Sequence, residues 1–327
     1  MTIMLLGMPA RATAQKRTFR QRIIRLDSVL SVRYYRTPYD TNYVVRPKGR
    51  WTLKLRGNQT GNTFHTKGEI NGITSKADLS TKHKNTISLA ASYRGLSAAF
   101  SLNPAKMKGV YKDYELNVNY YSSRISIDFS YQRSESLSGE IYTNDQAENI
   151  QQGDVDLKIA NIACYYAFNN KKFSFPAAFN QNYIQRRSAG SWLAGISYQG
   201  GSIITTDDLK ARRPEARDVN FKFGHLGIGA GYGYNLVLGK MWLLHLSALP
   251  TIVVYNRNDL TIDGEEIGAR HRRFHMIFNE RAAVICNFSK RYFAGATLVM
   301  NNSVYDNDIG IINQNKWRVR AFVGLRL

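Results

Sequence analysis

The residues best suited to chemistry in this sequence are imidazole and hydroxyl side chains that share one face of a strand. His245 and Ser247 lie two positions apart, and His225 has the matching parity on the preceding strand. A serine nucleophile, a histidine base and a group that orients the histidine can together cleave acyl esters. The spacing allows this chemistry without being specific to it. We therefore favour a polar pair inside the protein and assign no catalytic residue.

Other motifs give no metal or cofactor site. Residues 271–275 read His-Arg-Arg-Phe-His, which could suggest a metal ion or a lipopolysaccharide phosphate. A solvated basic rim is favoured over a metal site. Cys164 and Cys286 fall on apolar parities, as small hydrophobic residues do. Alternate glycines from Gly227 to Gly233 suit close backbone approach or a packed interior rather than a phosphate loop. No zinc spacing, EF-hand or Gly-x-Ser-x-Gly pattern occurs, so we expect no metal and no cofactor.

The elements that must position these side chains are strands, and the last of them shows the pattern most clearly. Residues 316–327 alternate strictly, with apolar side chains on one parity. Arg318, Arg320 and Arg326 share the other parity. Period-two alternation predicts a strand with one apolar and one polar face. A soluble sandwich can contain such a strand, and so can an outer-membrane barrel that turns its apolar face to lipid.

The polar parity of the predicted strands carries charges of both signs. Such charges can line a pore and set its ion selectivity, or they can form salt bridges that fill a closed lumen. We favour a plugged or narrow lumen, because a barrel of about twelve strands has limited interior width. The candidate lumen-lining residues are Lys54, Arg56, Glu115, Asp128, His225, His245, Arg318, Arg320 and Arg326.

Loop lengths favour a barrel over a sandwich. Counted back from the C-terminus, long polar loops predicted at 303–315, 256–273, 200–220, 134–156, 104–112 and 57–83 alternate with short turns, such as those near 289 and 239. This alternation is typical of outer-membrane barrels, with long extracellular loops and short periplasmic turns. It persists to the start only if residues 173–199 form a single long, bent strand. The sequence then predicts an all-β fold, a closed antiparallel transmembrane β-barrel of about twelve strands.

Composition excludes some classes of protein. Mean hydropathy is -0.36, and no run approaches the roughly 18 to 20 apolar residues of a membrane helix. The formal net charge is +21, from 45 Lys and Arg against 24 Asp and Glu. Nucleic-acid binding is disfavoured, because the basic residues are spread along the chain. Basic loops beside outer-membrane lipids, including lipopolysaccharide, explain the excess better.

The predicted domain organisation has three parts. Residues 1–14 resemble the end of a signal peptide, with an Ala-x-Ala cleavage pattern at 12–14. Residues 15–49 are a basic periplasmic pre-barrel segment that could brace or plug the barrel and could include a short amphipathic helix. Residues 50–327 form the barrel. This organisation implies insertion by the barrel-assembly machinery of the bacterial outer membrane. The oligomeric state is left open.

Several short stretches resemble one known family. They are Asp-Thr-Asn-Tyr at 40–43, Ser-Tyr-Arg-Gly-Leu at 92–96, Tyr-Ala-Phe-Asn at 166–169, Lys-Phe-Ser at 172–174 and Gln-Arg-Arg-Ser-Ala-Gly-Ser at 185–191. They are similar to domain-of-unknown-function family 4421, uncharacterised outer-membrane β-barrel proteins of Gram-negative bacteria. The resemblance spans most of the chain after residue 35. It implies an outer-membrane barrel and brings no catalytic residues, because the family has no assigned activity.

Three functional hypotheses follow. The favoured one is a surface-exposed, porin-like outer-membrane protein, not an enzyme, with a structural, binding or narrow-pore transport role. The second is a lipid-modifying barrel enzyme of acyl hydrolase type that uses His245. The third is a soluble, secreted β-sandwich that binds polyanions.

Overall fold

A computed structural model describes residues 21–327 apart from 22–23, 26, 30, 33–35, 37–38, 48, 71, 94–95, 110–112, 145, 268–274 and 307–309. The predicted signal peptide and His271 lie outside the described residues. The chain divides into two units, Met1–Thr37 and Pro38–Leu327. In the first unit the described residues between 21 and 32 are helical, as the pre-barrel prediction allowed.

The second unit is built almost entirely from β-strands. Two very short strands, β1 (Val44–Val45) and β11 (Ile184–Gln185), pair with each other. The remaining strands are β2 (Trp51–Ile70), β3 (Ile73–Thr81), β4 (Lys84–Tyr93), β5 (Leu96–Leu102), β6 (Tyr114–Tyr121), β7 (Ile125–Ser134), β8 (Leu137–Thr143), β9 (Gln146–Ile150), β10 (Val155–Ala167), β12 (Ala189–Thr205), β13 (Val219–Leu238), β14 (Trp242–Ile262), β15 (Glu265–Ile267), β16 (Met276–Cys286), β17 (Tyr292–Asp306) and β18 (Gly310–Arg326).

Among the described residues of the second unit, three short helices interrupt the strands: α1 (Pro104–Met107), α2 (Phe175–Phe179) and α3 (Asp207–Arg212). Within the described ranges, no helix combines the length and the apolar character needed to cross a membrane.

The strands other than β1 and β11 pair antiparallel in a single sheet, which confirms the all-β antiparallel prediction. Its main path runs β5-β4-β2-β18-β17-β16-β14-β13-β12-β10-β7-β6. Strands β3, β8, β9 and β15 form long hairpins that extend the sheet at the end opposite the short turns. Strand β2 pairs with β4 over its first half and with β3 over its second half. In the described chain, no ladder joins β5 to β6.

The sheet curls until strands from opposite ends of its path face each other. Lys316 Nζ on β18 donates to Ser130 Oγ on β7 at 3.2 Å. Thr60 Oγ1 on β2 donates to Glu115 Oε2 on β6 at 3.0 Å. These contacts cross the interior, so the polar faces of the strands enclose a common space.

Burial follows the alternation that the sequence predicted. On β2, Leu55 is 54% exposed whereas Lys54 is 4% exposed. On β18, Val323 is 56% exposed whereas its neighbour Phe322 is 5% exposed. Successive side chains of a strand point to opposite faces, so the apolar parity lies outside the curled sheet and the charged parity inside.

Several segments predicted to be long loops are instead strands. The predicted loop at 57–83 is formed by most of β2 together with β3, and 134–156 contains β8 and β9. These strands carry polar residues on both faces and therefore show no apolar alternation in the sequence. They form nonetheless, because the hydrogen bonds that pair strands join backbone groups and need no apolar side chain. At about 3.3 Å per residue, the 20 residues of β2 extend well past an apolar band of about 25 Å.

The prediction of one bent strand over residues 173–199 is wrong. Residues 169–188, called the insert below, leave the sheet and contain α2 and β11. Ser174 caps α2 by accepting from Ala177 N, and Pro176, which has no N–H to give to a ladder, lies in its first turn. After the insert, only one strand, β12, crosses the sheet. Residues 173–199 therefore do not form a hairpin, and the predicted alternation of short and long connections is kept.

Buried apolar residues form two clusters, one at each end of the interior. The first surrounds the insert and includes Phe173, Phe175, Phe179, Leu193, Ile285, Phe293 and Phe322. The second lies toward the long hairpins and includes Phe64, Leu137, Leu157, Ile159 and Phe223. Between them the inner face is polar, and most of the predicted residues lie there.

Candidate functional site

All nine predicted lumen-lining residues lie on the inner face of the sheet. Lys54, His225, His245 and Arg326 are buried, and the others are half-buried. The structure separates them into an imidazole group beside the insert, a cationic wall on β2 and β18 with two carboxylates opposite, and a second imidazole group near the long hairpins. They therefore do not form one continuous site.

The imidazole group beside the insert is a hydrogen-bonded relay. Strand pairing places Asn235 of β13 opposite His245 of β14. His245 Nδ1 lies 2.7 Å from Asn235 Oδ1, and His245 Nε2 lies 2.9 Å from Ser247 Oγ. The amide oxygen can only accept, so Nδ1 carries the proton and Nε2 presents a lone pair to the hydroxyl. This is the order of groups in a serine nucleophile activated by an oriented histidine base.

Aromatic side chains of the insert cover this relay. The rings of Phe173, Phe175 and Phe179 lie 5.8, 5.4 and 5.0 Å from the imidazole of His245, centroid to centroid. Burial of Ser247 is almost complete, at 4% exposure. The spacing of His245 and Ser247 in the sequence identified both residues. Asn235 was not predicted, although its inner-face parity on β13 could have indicated it.

The relay also fastens the insert to the sheet. Asn235 Nδ2 donates to Ser174 O and to Gln185 Oε1, each at 3.0 Å. Gly233, opposite Ser247, leaves room for the insert, since a Cβ there would lie 3.0 Å from the ring of Phe173. The glycine-lined face predicted for this strand thus serves close approach at this position.

Two predicted cations bind the insert from the other side. Lys54 Nζ donates to Asn180 O and to Gln181 Oε1, both at 2.9 Å. Arg326 Nε donates to Gln181 O at 3.3 Å and its Nη2 to Asn287 Oδ1 at 2.8 Å. Gln181 has a positive φ of 58° where the chain leaves α2, a conformation that is uncommon for residues other than glycine. These cations therefore hold the insert in place.

Residues just before the sheet also pack on the insert. Ser174 Oγ donates to Tyr39 OH at 3.0 Å, and Asp40 N donates to Lys171 O at 2.9 Å. Pairing of β1 with β11 extends this contact. Burial raises the pKa of the Tyr39 hydroxyl above its ordinary value, although the hydrogen bond from Ser174 opposes the shift.

Asp128 is paired with a cation that was not among the predicted lumen-lining residues. Arg281 of β16 forms an ion pair with Asp128 of β7. Its guanidinium lies 4.1 Å from the ring centroid of Tyr165, and the rings of Tyr121 and Phe175 are also close. Arg281 has the inner-face parity of β16, and this parity was the signal in the sequence that could have identified it as a residue of the interior. Asp128 is thus neutralised locally.

The cationic wall consists of Arg56, Arg318 and Arg320. Arg320 lies opposite Asn58, two residues from Arg56, in the pairing of β18 with β2. Arg320 Nε donates to Asn58 Oδ1 at 2.7 Å, and Arg318 donates to Asn117 Oδ1. Among the residues that the structure describes, none of the three arginines forms a salt bridge. They face neutral partners.

Glu115 lies across from this wall beside a small cavity. It accepts from Thr60 Oγ1 at 3.0 Å and from Asn117 Nδ2 at 2.9 Å. The cavity has a volume of about 30 Å³ and is bordered by the carboxylates of Glu115 and Asp128, by the cations of Lys316 and Arg318, and by amide, hydroxyl and apolar side chains. By the roughly 10–15 Å³ needed for each water, it holds about two waters. The interior is narrow at this level.

The second imidazole group lies nearer the long hairpins. His225 stacks on Tyr305 with 3.9 Å between ring centroids, and its Nε2 lies 2.9 Å from Asn258 Oδ1. His275 lies 6.2 Å from His225, centroid to centroid, and is 7% exposed. His275 was expected in a solvated rim, and that expectation is wrong. It lies directly before β16 in the chain.

These features define a class of protein: a curled antiparallel β-sheet of barrel type, with an apolar outer face, a charged inner face and an insert packed inside. The chain belongs to the family described as Domain of unknown function (DUF4421), whose model matches residues 38–326. The resemblance found in the sequence is confirmed.

Comparison with solved structures finds outer-membrane proteins of low similarity. The outer-membrane protease OmpT from Escherichia coli is 11% identical, with 86% of this chain and 97% of that chain covered and a TM-score of 0.38. An outer-membrane channel from Pseudomonas putida F1 is 9% identical, with coverage of 88% and 99% and a TM-score of 0.29. The translocator domain of autotransporter NalP from Neisseria meningitidis is 12% identical, with coverage of 94% and 96% and a TM-score of 0.29. TM-scores this low define no shared function. No curated protein matches the sequence.

Proposed function

We propose that this chain is an outer-membrane β-barrel whose lumen is plugged by the insert, and that it has a structural, binding or narrow-pore transport role at the cell surface. The observation that carries the proposal is the reversed distribution of polarity. Leu89, Phe100, Trp192 and Leu246 are 62 to 70% exposed, whereas Lys54 and His245 are buried. Soluble monomers rarely expose large contiguous apolar patches, but a barrel in lipid must.

Aromatic residues at the short-turn end support a membrane boundary. Trp51 packs on Tyr93 with 4.6 Å between ring centroids, and Trp192 packs on Tyr232 at 5.4 Å. Trp242 begins β14 at the same end and is also exposed. Outer-membrane barrels carry such girdles of aromatic side chains at the interfaces with water.

Closure between β5 and β6 would complete a barrel of twelve strands. Both strands border the open side of the main path and carry exposed apolar residues, such as Phe100 on β5 and Val118 on β6. An open edge in a bilayer leaves backbone N–H and C=O groups without partners, at several kcal/mol each. Lipid therefore favours pairing of these two strands.

The surroundings follow from this orientation. The short turns and both termini of the barrel domain would face the periplasm, with residues 15–49 on that side and residues 1–14 as the remainder of a signal peptide. The long hairpins would face outward, where their basic residues meet lipopolysaccharide and other outer-membrane lipids. Insertion would use the barrel-assembly machinery, and no nucleic-acid partner is proposed.

Outer-membrane fractionation combined with heat-modifiability on a gel tests the proposal. A closed barrel extracted in detergent should migrate faster before heating than after heating. A protein that is soluble without detergent and shows no heat shift would contradict the barrel. That result would favour the secreted polyanion-binding sandwich and make the net charge of +21 the leading clue to its role.

The Asn235–His245–Ser247 relay supports a second candidate, an acyl hydrolase. Displacement of the aromatic rings of α2 would be needed to admit a lipid chain. Acyl release from phospholipid by the purified barrel tests this idea, with His245→Ala and Ser247→Ala as the critical variants. Ser197→Ala, which removes another buried inner-face hydroxyl, is the matched control. Activity that is unchanged in both critical variants would reject the hydrolase.

A further inference from the structure

Five exposed basic residues, called the turn cations below, lie where the chain turns or enters the sheet at its short-turn end. They are Arg50 before β2, Arg124 between β6 and β7, Lys240 between β13 and β14, and Lys290 and Arg291 between β16 and β17. Backbone hydrogen bonds join neighbouring turns at this end, since Asn287 N donates to Met241 O and Arg326 N donates to Arg291 O, each at 2.8 Å. The turn cations therefore share one end of the curled sheet.

Acidic residues are scarce around the turn cations. The turns at 122–124, 239–241 and 287–291 contain no Asp or Glu, and neither does the insert. Asp40, the one acid in residues 39–50, accepts from Asn42 N at 2.9 Å. Among the described residues, none of the turn cations forms a salt bridge. Their charge is thus uncompensated within the chain.

The opposite end of the sheet shows the contrasting arrangement. Acids are frequent among the long hairpins and pair there with exposed cations. Lys210 Nζ lies 2.7 Å from Asp218 Oδ2, and Arg257 Nε lies 2.9 Å from Asp259 Oδ2. The unpaired cations at the short turns are therefore a feature of that end and not of the basic composition alone.

Exposed apolar side chains accompany the turn cations. Met241 follows Lys240, and Phe288 lies two residues before Lys290; both apolar side chains are exposed. Trp51 likewise follows Arg50 and belongs to the aromatic residues of this end. At the boundary of a bilayer, apolar groups enter the acyl region while Lys and Arg side chains extend to the headgroups. The pairing of apolar and basic residues fits that boundary.

The distribution of the turn cations indicates the shape of the partner. They belong to turns that are separated along the main path of the sheet, from β2 through β16 and β14 to β7. A globular protein would contact one patch of this end, whereas a bilayer surrounds the whole sheet. Anionic headgroups attract basic residues that lie near the membrane surface, within a Debye length of about 10 Å at 0.1 M salt.

We infer that the turn cations bind the headgroups of anionic phospholipids in the leaflet that faces the periplasm. The inference rests on the proposed membrane barrel and its orientation, and it names a lipid partner for the end opposite the long hairpins. Lys and Arg donate charge-assisted hydrogen bonds to the phosphate oxygens, while the neighbouring apolar side chains enter the acyl region. These contacts hold the short turns at the membrane boundary.

Electron paramagnetic resonance of spin-labelled lipids tests the inference on the full chain in phosphatidylcholine vesicles. Spin-labelled phosphatidylglycerol should associate with the protein about twofold to fivefold more strongly than spin-labelled phosphatidylcholine at low salt, because a Lys or Arg near the surface contributes up to roughly that factor. The ratio should fall toward one in about 1 M salt. The combined variant Lys240→Gln, Lys290→Gln and Arg291→Gln should lose more than half of the preference.

The matched control combines Lys67→Gln, Lys76→Gln and Arg257→Gln, which remove the same charge from exposed positions of the long hairpins. It should keep the preference for phosphatidylglycerol. An equal loss in the control, or an unchanged ratio in the turn variant, would overturn the inference and leave the turn cations to an acidic periplasmic protein or to water.

Removal of the preference by inorganic phosphate, but not by chloride at equal ionic strength, would assign the turn cations to free phosphate and overturn the inference as well. If the combined turn variant does not fold, Lys240→Gln alone should still lower the ratio, and a full preference in that variant would contradict the inference. A heat-modifiable band in the same preparation separates the two proposals, because a barrel without lipid preference rejects only this one.

Discussion

At the scale of single residues, buried polar groups decide how the interior is held. Asn235 serves three partners, since it accepts from His245 and donates to Ser174 O and Gln185 Oε1. A buried polar group that loses its partner costs about 1–3 kcal/mol. The same side chain therefore fixes the imidazole and anchors the insert.

Substitution of Asn235 should show this double role. Asn235→Ala is expected to lower the free energy of unfolding by about 2–4 kcal/mol, because several buried groups lose their partner at once. Urea titration of the heat-modifiable band measures the change. Asn149→Ala, at an exposed hairpin position, should change it by less than about 0.5 kcal/mol. Equal effects of the two substitutions would show that Asn235 does not anchor the insert.

Arg281 gives a second test at this scale. Arg281→Met leaves the half-buried Asp128 carboxylate without its cation and should destabilise the protein by about 3–5 kcal/mol. The double variant with Asp128→Asn should recover a large part of that loss, because the unpaired charge is gone. Urea midpoints of the unmodified protein, of Arg281→Met, of Asp128→Asn and of the double variant form a double-mutant cycle. Strict additivity would argue against a coupled pair.

At the scale of elements, the insert is the least regular and most consequential part of the chain. It joins two strands at the end where the other connections are short turns, and it fills the interior with aromatic side chains. Contacts from Lys54, Asn235 and Arg326 hold it from different strands. If the sheet closes as proposed, the insert sets whether the lumen conducts.

Removal of the insert should therefore open the lumen. Replacing residues 173–183 by a short Gly-Ser turn is expected to raise single-channel conductance in planar bilayers severalfold over the unmodified protein. The heat-modifiable band verifies that the variant still folds. Unchanged conductance in a folded variant would show that the polar network, with its cavity of about 30 Å³, closes the lumen without the insert.

At the scale of the whole molecule, the outer face gives the sharpest distinction between a membrane barrel and a soluble protein. Leu246 is 69% exposed and lies on the apolar parity of β14. On a soluble protein, Leu246→Arg should change stability by no more than about 0.5 kcal/mol. Near the middle of a bilayer the same change costs about 2–4 kcal/mol.

Measurement in lipid and in water separates these cases. In lipid vesicles, Leu246→Arg is expected to lower the free energy of unfolding by about 2–4 kcal/mol, as measured by urea titration. Lys222→Arg, near the long-hairpin end of β13, serves as the control and should be neutral. A neutral Leu246→Arg would argue that lipid does not cover this face.

Much of this architecture was readable in the sequence. Alternation along 316–327 identified β18, its two faces and the inward direction of Arg318, Arg320 and Arg326. Short motifs gave the family, and parity placed His245 and Ser247 on one face. These features are local, because a strand repeats every two residues whatever surrounds it. Composition added the net charge of +21, which is independent of the fold.

Tertiary structure alone decided which inner residues meet. Asn235, Arg281 and the insert come together from distant parts of the chain, and no spacing rule links residue 128 to residue 281. The irregular path of residues 169–188 could not be inferred, because its helix is stabilised by burial against strands on several sides rather than by its own pattern. The polar strands of the long hairpins could not be recognised from the sequence either, because backbone hydrogen bonds rather than an apolar face stabilise them. The sequence by itself therefore determined the faces of the strands, whereas curling of the sheet determined the network within it.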